Sequence, residues 1–419
     1  MTDMLTRRAM LGATAALLGT QEALAARKAI SHPGDLKSLT SGAQPISATE
    51  RAARIARLQE LLQQQKLAAL LVESGSTLDY FTNVKWWLSE RVTAAVIPAT
   101  GKPVVVTPFF EAPSIREMLQ GPAEIRTWQE DENPFELIAA TLDDRAIPAG
   151  PLAVEPNTRF FVFDAVTRAL TGRRSLVSGG ELVRACRMHK SPAELALLQL
   201  ANDVTLAALR YVHGRIQSGM HTNDVSDLMD HATVALGATP EFSMALLNEA
   251  SAFPHGSKVT QTVRDGSVIL MDCGCNVHGY QSDISRTWVF GEPTARQREV
   301  WNTVKRGQQI ALETARIGIP VGDIDKAVRA YYEDRGWAKH YALPGLSHRT
   351  GHGIGLDGHE PPYLVRNDTT PLQPGMCFSD EPGIYIPGEF GVRLEDCWYM
   401  TGQGPKLFTP LAKSLDDPI

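Results

Sequence analysis

The sequence lacks the features of a disulfide-held, membrane-spanning or nucleic-acid-binding protein. Five cysteines in 419 residues are too few for a disulfide framework, and their odd number leaves at least one thiol without an intrachain partner. The apolar run at residues 9–18 is shorter than the roughly 20 residues that a membrane-spanning helix needs. A net charge of −6 argues against nucleic acid or an acidic membrane surface as the main partner. We therefore expect a small molecule as the ligand.

The N-terminal segment has the pattern of an export signal. Arg7 and Arg8 precede the apolar run, and the small residues Ala23 and Ala25 then offer a cleavage site. This pattern resembles a twin-arginine signal, and an N-terminal membrane anchor is the weaker alternative because the run is short. We expect residues 1–25 to be removed and the mature protein to reach the periplasm.

The rest of the chain predicts two domains. Its length of 419 residues and its 43% hydrophobic content are enough for more than one core. Residues 26–48 are polar and interrupted by glycine and proline, which predicts an extended arm. Residues 49–185 alternate helical stretches with short apolar runs such as "AALLV", "TAAVI", "VVV" and "PLAVE". This alternation predicts an α/β domain, and residues 186–419 are assigned to a second domain.

The second domain contains an internal repeat. Residues 218–237 and 317–336 align at an offset of 99. The aligned pairs are Gly219 with Gly318, Asp224 with Asp323, and Gly237 with Gly336. A long helical stretch precedes each copy, and strand-like segments follow each copy. We therefore predict an α+β domain built from two related halves.

Each half carries two acidic residues in strand-like segments. Asp272 and Asp283 lie eleven residues apart in the first half, and Glu381 and Glu395 lie fourteen apart in the second. A single acidic residue is most often exposed, but an isolated buried carboxylate neutralises unless it is paired or bound to a cation. Four converging carboxylates point to two divalent cations. Mostly oxygen ligands favour Mn²⁺, with Zn²⁺ and Co²⁺ as competitors.

The segment "TGHGIGLDGHEPPYL" at residues 350–364 carries two histidines, His352 and His359. It is too rich in glycine and proline to form a helix, so we expect a stiff loop. Its G-x-G-x-x-G spacing does not indicate a dinucleotide site, because Pro361 and Pro362 forbid the helix that such a site requires. A lone histidine is most often structural, whereas an imidazole near four acidic residues suits metal binding.

The motifs "MDCG", "SDISRTW", "GHGIGLDGHEPPYL", "EPGIYI" and "VRLED" occur in this order over residues 190–405. This order resembles the pita-bread metallopeptidases, the family of aminopeptidase P, prolidase, methionine aminopeptidase and creatinase. The resemblance implies a pita-bread fold with a pseudo-two-fold repeat for residues 186–419. It implies, more loosely, a creatinase-type α/β fold for residues 49–185. It also implies a dinuclear metal centre with five ligands: Asp272, Asp283, His352, Glu381 and Glu395.

The resemblance also implies roles for residues near the metals. His255 and His359 match histidines that bind substrate and assist catalysis, and His348 matches a third histidine at the pocket mouth. Arg393 matches an arginine beside the metal site, where it would bind substrate or pair with a ligand carboxylate. Glu381 would carry the proton from the attacking water to the leaving nitrogen.

The implied activity is metal-dependent hydrolysis of the Xaa-Pro peptide bond, as an aminopeptidase or a dipeptidase. The implied substrate is a small peptide with proline in the second position, and the implied assembly is a homodimer or a higher homo-oligomer. Two alternatives are a pita-bread hydrolase or lyase that acts on a non-peptide substrate and an inactive peptide-binding relative. The complete ligand set argues against an inactive protein.

Four cysteines lie close in sequence to the expected ligands. Cys273 and Cys275 alternate with Asp272 along a strand, so we expect them to face the other way and to pack as small apolar groups. Cys377 and Cys397 lie on segments predicted to be neighbouring strands. A disulfide between these two is a hypothesis.

Overall fold

The computed structural model describes residues 34–145, 147 and 149–419. The predicted export signal at residues 1–25 lies outside these residues. The chain divides into two compact units. One unit is Pro45–Ala193, and the other combines Glu194–Ile419 with the described residues up to Gln44. Within the described part of the chain, no helix has both the length and the apolarity needed to cross a lipid bilayer.

The unit Pro45–Ala193 is built around a six-stranded sheet. Its strands are β1 (Ala69–Glu73), β2 (Ala94–Pro98), β3 (Val104–Pro108), β4 (Glu124–Trp128), β5 (Leu152–Val154) and β6 (Leu176–Ser178). Its helices are α1 (Ala48–Gln64), α2 (Ser76–Thr82), α3 (Ala112–Met118), α4 (Pro134–Asp144), α5 (Phe160–Ala169) and α6 (Gly180–Arg187). The strand order is β4-β3-β2-β1-β5-β6, and β1 pairs antiparallel with β2 and parallel with β5.

The predicted apolar runs of this unit form its central strands. Strands β1, β2 and β3 are buried along their whole length, which suits the uninterrupted apolar character of their sequences. Strand β4 was not predicted, because it carries no apolar run: only Trp128 is buried, and Glu124, Arg126 and Thr127 interrupt its sequence. Helix α1 begins after Ser47, whose side-chain oxygen accepts a hydrogen bond from the Glu50 N–H and so caps the first turn.

The second unit contains two smaller sheets, a hairpin and two pairs of helices. Its helices are α7 (Pro192–His213), α8 (Thr222–Ala235), α9 (Ala295–Thr314) and α10 (Gly322–Asp334). Its strands are β7 (Thr239–Leu247), β8 (Ser267–Val277), β9 (Tyr280–Gln281), β10 (Ile284–Phe290), β11 (Gly351–Gly353), β12 (Glu360–Leu364), β13 (Cys377–Asp380), β14 (Gly383–Ile386), β15 (Phe390–Arg393), β16 (Asp396–Thr401) and β17 (Gly404–Leu407). A 3₁₀ helix spans Asn248–Ala252.

The sheets of this unit follow the two halves of the repeat. In the first half the strand order is β10-β8-β7, with β9 paired to β8. In the second half it is β12-β11-β13-β16-β17, while β14 and β15 form a separate two-stranded sheet, and Tyr385 of β14 also forms an antiparallel bridge with Gly345. Each half is preceded by a long helix and a shorter one, α7 with α8 and α9 with α10.

Backbone contacts confirm the predicted repeat. Gly219 and Gly318 have φ angles of 92° and 86°, a left-handed conformation that glycine adopts without steric cost. The Gly219 N–H donates to the Val263 carbonyl, and the Gly318 N–H donates to the Leu372 carbonyl, both at 2.8 Å. In both halves, therefore, the same turn lies between the two helices and is hydrogen-bonded to the segment that precedes a strand of the sheet.

The described residues of the predicted arm up to Gln44 belong to the second unit. The Leu39 N–H donates to the Leu236 carbonyl at 2.9 Å, and the Thr40 hydroxyl donates to the Gly237 carbonyl at 2.7 Å. This segment therefore packs at the end of helix α8.

The prediction that residues 350–364 form a loop is wrong at both ends of the segment. Strands β11 and β12 lie within it and pair antiparallel. The glycines serve close packing, because a Cβ on Gly351 would lie 2.2 Å from the Ser379 carbonyl oxygen and one on Gly353 would lie 2.3 Å from the Glu360 carbonyl oxygen. A short strand holds His352 more firmly than a loop would.

The disulfide hypothesis for Cys377 and Cys397 is also wrong. All five cysteines lie within the described residues, and all are buried thiols. Strands β13 and β16 are neighbours, but Cys377 lies opposite Tyr399, and Cys397 lies opposite Ser379. The two thiols are thus two residues out of register.

Candidate metal centre

Four acidic residues reach the centre from strands or strand ends. Asp272 lies within β8, and Asp283 directly precedes β10, the neighbour of β8. Glu381 directly follows β13, and Glu395 lies between β15 and β16. The four residues are 6%, 5%, 9% and 1% exposed, respectively. Strand pairing within each half brings its two acidic residues together, and the Glu395 N–H, which donates to the Ser285 carbonyl at 3.0 Å, links the two halves.

The predicted ligands converge in overlapping groups. Asp272, Asp283 and Glu395 offer carboxylate oxygens within 4.8 Å of one another. A ring nitrogen of His352 and carboxylate oxygens of Glu381 and Glu395 form a second group within the same distance. All five predicted ligand residues therefore fall in one cluster, in which Glu395 belongs to both groups.

The His352 ring is oriented towards the acidic residues. Its Nδ1–H donates to the Gly353 carbonyl at 3.1 Å, which leaves a lone pair on Nε2. The Nε2 atom lies 3.5 Å from an Asp283 oxygen and 3.4 Å from a Glu381 oxygen. A hydrogen bond of this kind fixes the tautomer that a metal requires.

Ser285 links acidic residues from the two halves, and the sequence analysis did not identify it. Its hydroxyl oxygen lies 2.8 Å from a carboxylate oxygen of Asp272 and 2.8 Å from one of Glu395, and it accepts from Arg393 Nε at 2.8 Å. One hydroxyl proton serves only one carboxylate, so the second contact needs another proton or a compensating cation. A serine between two acidic residues carries no pattern that distinguishes it in the sequence.

Burial and mutual repulsion disfavour charge on Asp283, Glu381 and Glu395. Burial, followed by the charges of Asp283 and Glu381, holds the pKa of Glu395 well above its ordinary value. Burial raises the pKa of Glu381 to about 7. Burial also raises the pKa of Asp283, against the hydrogen bond with His352. Without cations to neutralise them, these carboxyl groups would therefore tend to stay protonated.

The cluster fits divalent metal ions. Within the described residues, Glu395 Oε1 is buried and has no hydrogen-bond partner, which is costly for a carboxylate oxygen unless a cation contacts it. Four carboxylates and one imidazole are the donor set that Mn²⁺ and similar metals accept.

Two further predicted histidines lie beside the cluster. The His359 ring stacks on the His352 ring with centroids 3.7 Å apart, and its side chain is exposed. Burial and the neighbouring charges of His352 and Arg349 lower the pKa of His359 to about 4, so it is neutral at physiological pH. His255 is exposed and lies in the segment after the 3₁₀ helix.

His348 lies within a hydrogen-bonded chain that reaches the metal ligands. Its Nδ1 is 3.8 Å from a Glu381 oxygen, and its Nε2 accepts from the Tyr385 hydroxyl at 2.7 Å. The Tyr385 oxygen accepts in turn from Arg393 at 3.1 Å. Burial, with the Arg393 charge, lowers the pKa of His348 to about 3, so the imidazole is neutral. Tyr385 therefore orients His348 and Arg393.

The guanidinium of Arg393 is fully occupied by protein groups. It pairs with Asp272 and donates to Ser285, Tyr385 and the Pro254 carbonyl. The residue is 3% exposed. The geometry supports its pairing with a ligand carboxylate, and its binding of substrate stays a prediction.

An ion pair on helix α10 supports the segment that carries His348. Asp325 is fully buried, pairs with Arg329 at 2.8 Å and accepts from the Thr350 hydroxyl at 2.7 Å. Arg329 also donates to the carbonyls of Leu346 and His348. The signal for this support is present in the sequence as an acidic residue on the apolar face of a helix, four residues before an arginine.

Comparisons with known proteins agree with this geometry. The model of metallopeptidase family M24 matches residues 196–402, and the model of the creatinase/prolidase N-terminal domain matches residues 54–189. An uncharacterised peptidase of Schizosaccharomyces pombe is 32% identical over 86% of this chain and 82% of its own. The Xaa-Pro dipeptidase of Lactobacillus helveticus is 29% identical over 86% of this chain and 97% of its own.

Solved structures share the fold. The dipeptidase PepE of Mycobacterium ulcerans has a TM-score of 0.78 and 30% identity, over 88% of this chain and 97% of its own. A prolidase of Thermococcus sibiricus has a TM-score of 0.78 and 25% identity, over 86% of this chain and 97% of its own. These similarities confirm the predicted architecture, a creatinase-type domain followed by a pita-bread domain. The chain belongs to metallopeptidase family M24, the family that its sequence motifs resemble.

Proposed function

We propose that this protein hydrolyses the Xaa-Pro peptide bond with the help of two divalent metal ions. The observation that carries the proposal is the convergence of five metal-binding side chains, from both halves of the repeat, on one buried place. The names of two relatives, Xaa-Pro dipeptidase and prolidase, favour a bond that precedes proline.

The cofactor of the proposed reaction is a pair of Mn²⁺ ions, with Zn²⁺ or Co²⁺ as substitutes. Asp272, Asp283, His352, Glu381 and Glu395 would hold them. When bound, the ions supply Lewis acidity, which polarises the substrate carbonyl and makes water acidic enough to attack at neutral pH.

Glu381 is the proton carrier of the proposed mechanism. It lies beside His352 and His348 within the ligand cluster, where its carboxylate is placed to accept and return a proton. It would take the proton of the attacking water and pass it to the proline nitrogen. That nitrogen leaves as an amine, so its protonation is required for the bond to break.

The remaining side chains bind and orient the substrate. His359 projects from the face of His352 and would donate to the oxygen on which negative charge develops. His255 and His348 would contact the substrate on either side of this oxygen. Arg393 would act through Asp272, which it holds in place.

Metal analysis combined with a proline-release assay tests the proposal. We expect the purified protein to contain close to two transition-metal ions per chain, to release proline from Ala-Pro, and to lose this activity in a chelator. Asp283→Ala should lose both metal and activity. A metal-free protein whose catalysis is unchanged by a chelator would contradict the proposal.

We also propose that the protein is exported by the twin-arginine route and assembles as a homodimer or a higher homo-oligomer. The arginine pair and the short apolar run support export. Replacing Arg7 and Arg8 by lysine should keep the protein in the cytoplasmic fraction, and sedimentation of the mature protein measures its oligomeric state.

A further inference from the structure

Arg349 is a cation near the metal centre that has no counter-charge among the residues the structure describes. Its guanidinium lies over the Tyr363 ring, 4.3 Å from the ring centroid. Among the described residues, none brings a carboxylate within ion-pair distance of Arg349, although three residues later His352 lies amid three acidic residues, Asp283, Glu381 and Glu395. The residue is only partly exposed. An arginine held over an aromatic ring is preorganised and gives up little freedom when it binds an anion.

The placement of Tyr363 locates this cation on the substrate side of the centre. Tyr363 is directly opposite His352 in the pairing of β11 with β12. Directly opposed residues of antiparallel strands project from the same face of the sheet, so Tyr363 and His352 share the face that bears the metal ligands. The Arg349 charge also contributes to the low pKa of His359, which stacks on His352.

Arg393 offers no comparable group for an anionic substrate. Each of its guanidinium nitrogens already donates to Asp272, Ser285, Tyr385 or the Pro254 carbonyl. Binding a substrate carboxylate there would break a buried ion pair, which is costly. In the described part of the chain, Arg349 forms no such pair.

We propose that the guanidinium of Arg349, held against Tyr363, binds the terminal carboxylate of an Xaa-Pro dipeptide. The inference rests on the proposed function and deepens it, because it assigns the enzyme to dipeptides. A dipeptide carries its two charges only a few bonds from the scissile bond. A carboxylate of this kind matches the planar fork of an arginine, which donates two parallel hydrogen bonds.

The same contact discriminates against longer peptides. In a longer peptide, a neutral amide replaces the carboxylate on the proline. The amide oxygen accepts a weaker hydrogen bond than a carboxylate does, and no charge neutralises the guanidinium. Arg349 therefore selects the dipeptide by charge.

Hydrolysis of Ala-Pro and of its neutral analogue Ala-Pro-NH₂, measured as alanine release in Mn²⁺, tests the inference. We expect the wild-type enzyme to prefer the acid. In Arg349→Ala, the ratio of kcat/KM for the acid to that for the amide should fall about 10- to 100-fold, mainly through the KM of the acid. Arg349→Lys keeps the charge but loses the planar fork, so its ratio should be intermediate.

A matched control is Arg335→Ala. Arg335 is an exposed arginine that lies over the ring of Tyr331, 5.2 Å from its centroid, at the end of helix α10. This variant makes the same change in net charge and removes a similar stacking contact. Its acid-to-amide ratio should stay within about twofold of the wild-type value.

Other outcomes would overturn the inference in distinguishable ways. A wild-type enzyme that hydrolyses acid and amide equally well keeps the proposed function and removes the role of Arg349. A preference for Glu-Pro over Ala-Pro that disappears in Arg349→Ala, with the acid-to-amide ratio unchanged, assigns the arginine to a side-chain carboxylate. Hydrolysis of neither compound removes the proposed function together with the inference.

Discussion

The two halves of the repeat share a backbone plan but differ in the buried side chains beside their ligand-bearing strands. In the first half, four such positions hold apolar side chains: Leu206, Leu209, Met271 and Ile284. At offsets of 99, 109 and 112, the second half holds polar side chains instead: Lys305, Gln308, Asp380 and Asp396. Of these, Gln308, Asp380 and Asp396 are 0% exposed. The side chains at these positions therefore pack as apolar groups in one half, whereas in the other half they can form hydrogen bonds and ion pairs.

The polar positions tie the second half to the first. Asp396 pairs with Arg286, which belongs to the first half, at 2.6 Å, and it accepts from Gln308 at 2.9 Å and from Thr409 at 2.7 Å. Arg286 also donates to the Glu395 carbonyl at 2.7 Å. Apolar packing excludes water without specifying a direction, whereas a satisfied polar network fixes one geometry. The half that supplies the histidine ligand is the half held by directional bonds.

The largest expected effect is a difference in activity between variants of Asp272 and Glu381, the acidic residues at equivalent positions of the two halves. Glu381→Gln should lower kcat about 10²- to 10⁴-fold even at saturating Mn²⁺, because it removes the proton carrier. Asp272→Asn should mainly weaken metal binding, so rising Mn²⁺ should restore part of its activity. Steady-state kinetics over a Mn²⁺ titration measures both. Equal behaviour of the two variants would show that the halves share the proton-transfer role.

The next largest effect concerns the ion pair between the halves. Arg286→Met should lower the free energy of unfolding by about 3–5 kcal/mol, because it leaves the fully buried Asp396 carboxylate without its cation. Urea unfolding measures this loss. The double variant Arg286→Met with Asp396→Leu should recover most of it, since the second half then has the apolar character of the first. A single variant as stable as the wild type would mean that water reaches Asp396.

Asp380 predicts a stability difference that depends on pH. It lies opposite Asp396 on the neighbouring strand and, among the described residues, neither of its oxygens has a hydrogen-bond partner. Burial, with the Asp396 charge, holds its pKa well above the ordinary value of 3.8. The folded state therefore retains a proton that the unfolded state loses, and this residue's contribution to stability falls as pH rises above the unfolded pKa.

Replacing the Asp380 carboxylate by an amide should remove the contribution of this residue to the pH dependence of stability. We expect Asp380→Asn to be more stable than the wild type at pH 8 by about 1–3 kcal/mol, and the difference to shrink as pH falls towards the unfolded pKa. Thermal melts from pH 5 to pH 8 measure this. A variant that is less stable at every pH would indicate a partner that ionised Asp380 needs.

The smallest expected effect on stability comes from replacing one polar residue of the second half by its apolar counterpart in the first half. Gln308→Leu introduces the counterpart of Leu209. It removes the hydrogen bond to Asp396, but it also removes Gln308 Oε1, which is buried and has no partner among the described residues. These terms oppose each other, so the free energy of unfolding should change by less than about 1 kcal/mol. A loss above about 3 kcal/mol in urea unfolding would show that the polar network acts as one unit.

The sequence predicted those features that depend on unusual residues at regular spacing. Left-handed glycines such as Gly219 and Gly318 have few substitutes, so their spacing reveals the repeat. Acidic residues inside apolar strands are rare, so Asp272 and its counterparts are conspicuous. Strand pairing within each half then brings the acidic residues together in two pairs.

Other features were not predictable because their residue types are common. Ser285 differs from any other serine only in the two carboxylates that surround it in the fold. Strand β11 is short, and its glycines are explained by contacts with Ser379 and Glu360, which are distant or unremarkable in sequence. The importance of Arg349 depends on Tyr363 and on the absence of a counter-charge in the described residues, and both require the folded chain.

The position of Ser285 bears on how such a molecule could arise. The residue lies in the first half, yet its hydroxyl contacts one carboxylate from each half. A polypeptide that contains a single copy of the repeat would bring four carboxylates together only by forming a dimer with a second copy of itself. Fusion of two such genes would make that association permanent and would release each copy to diverge on its own.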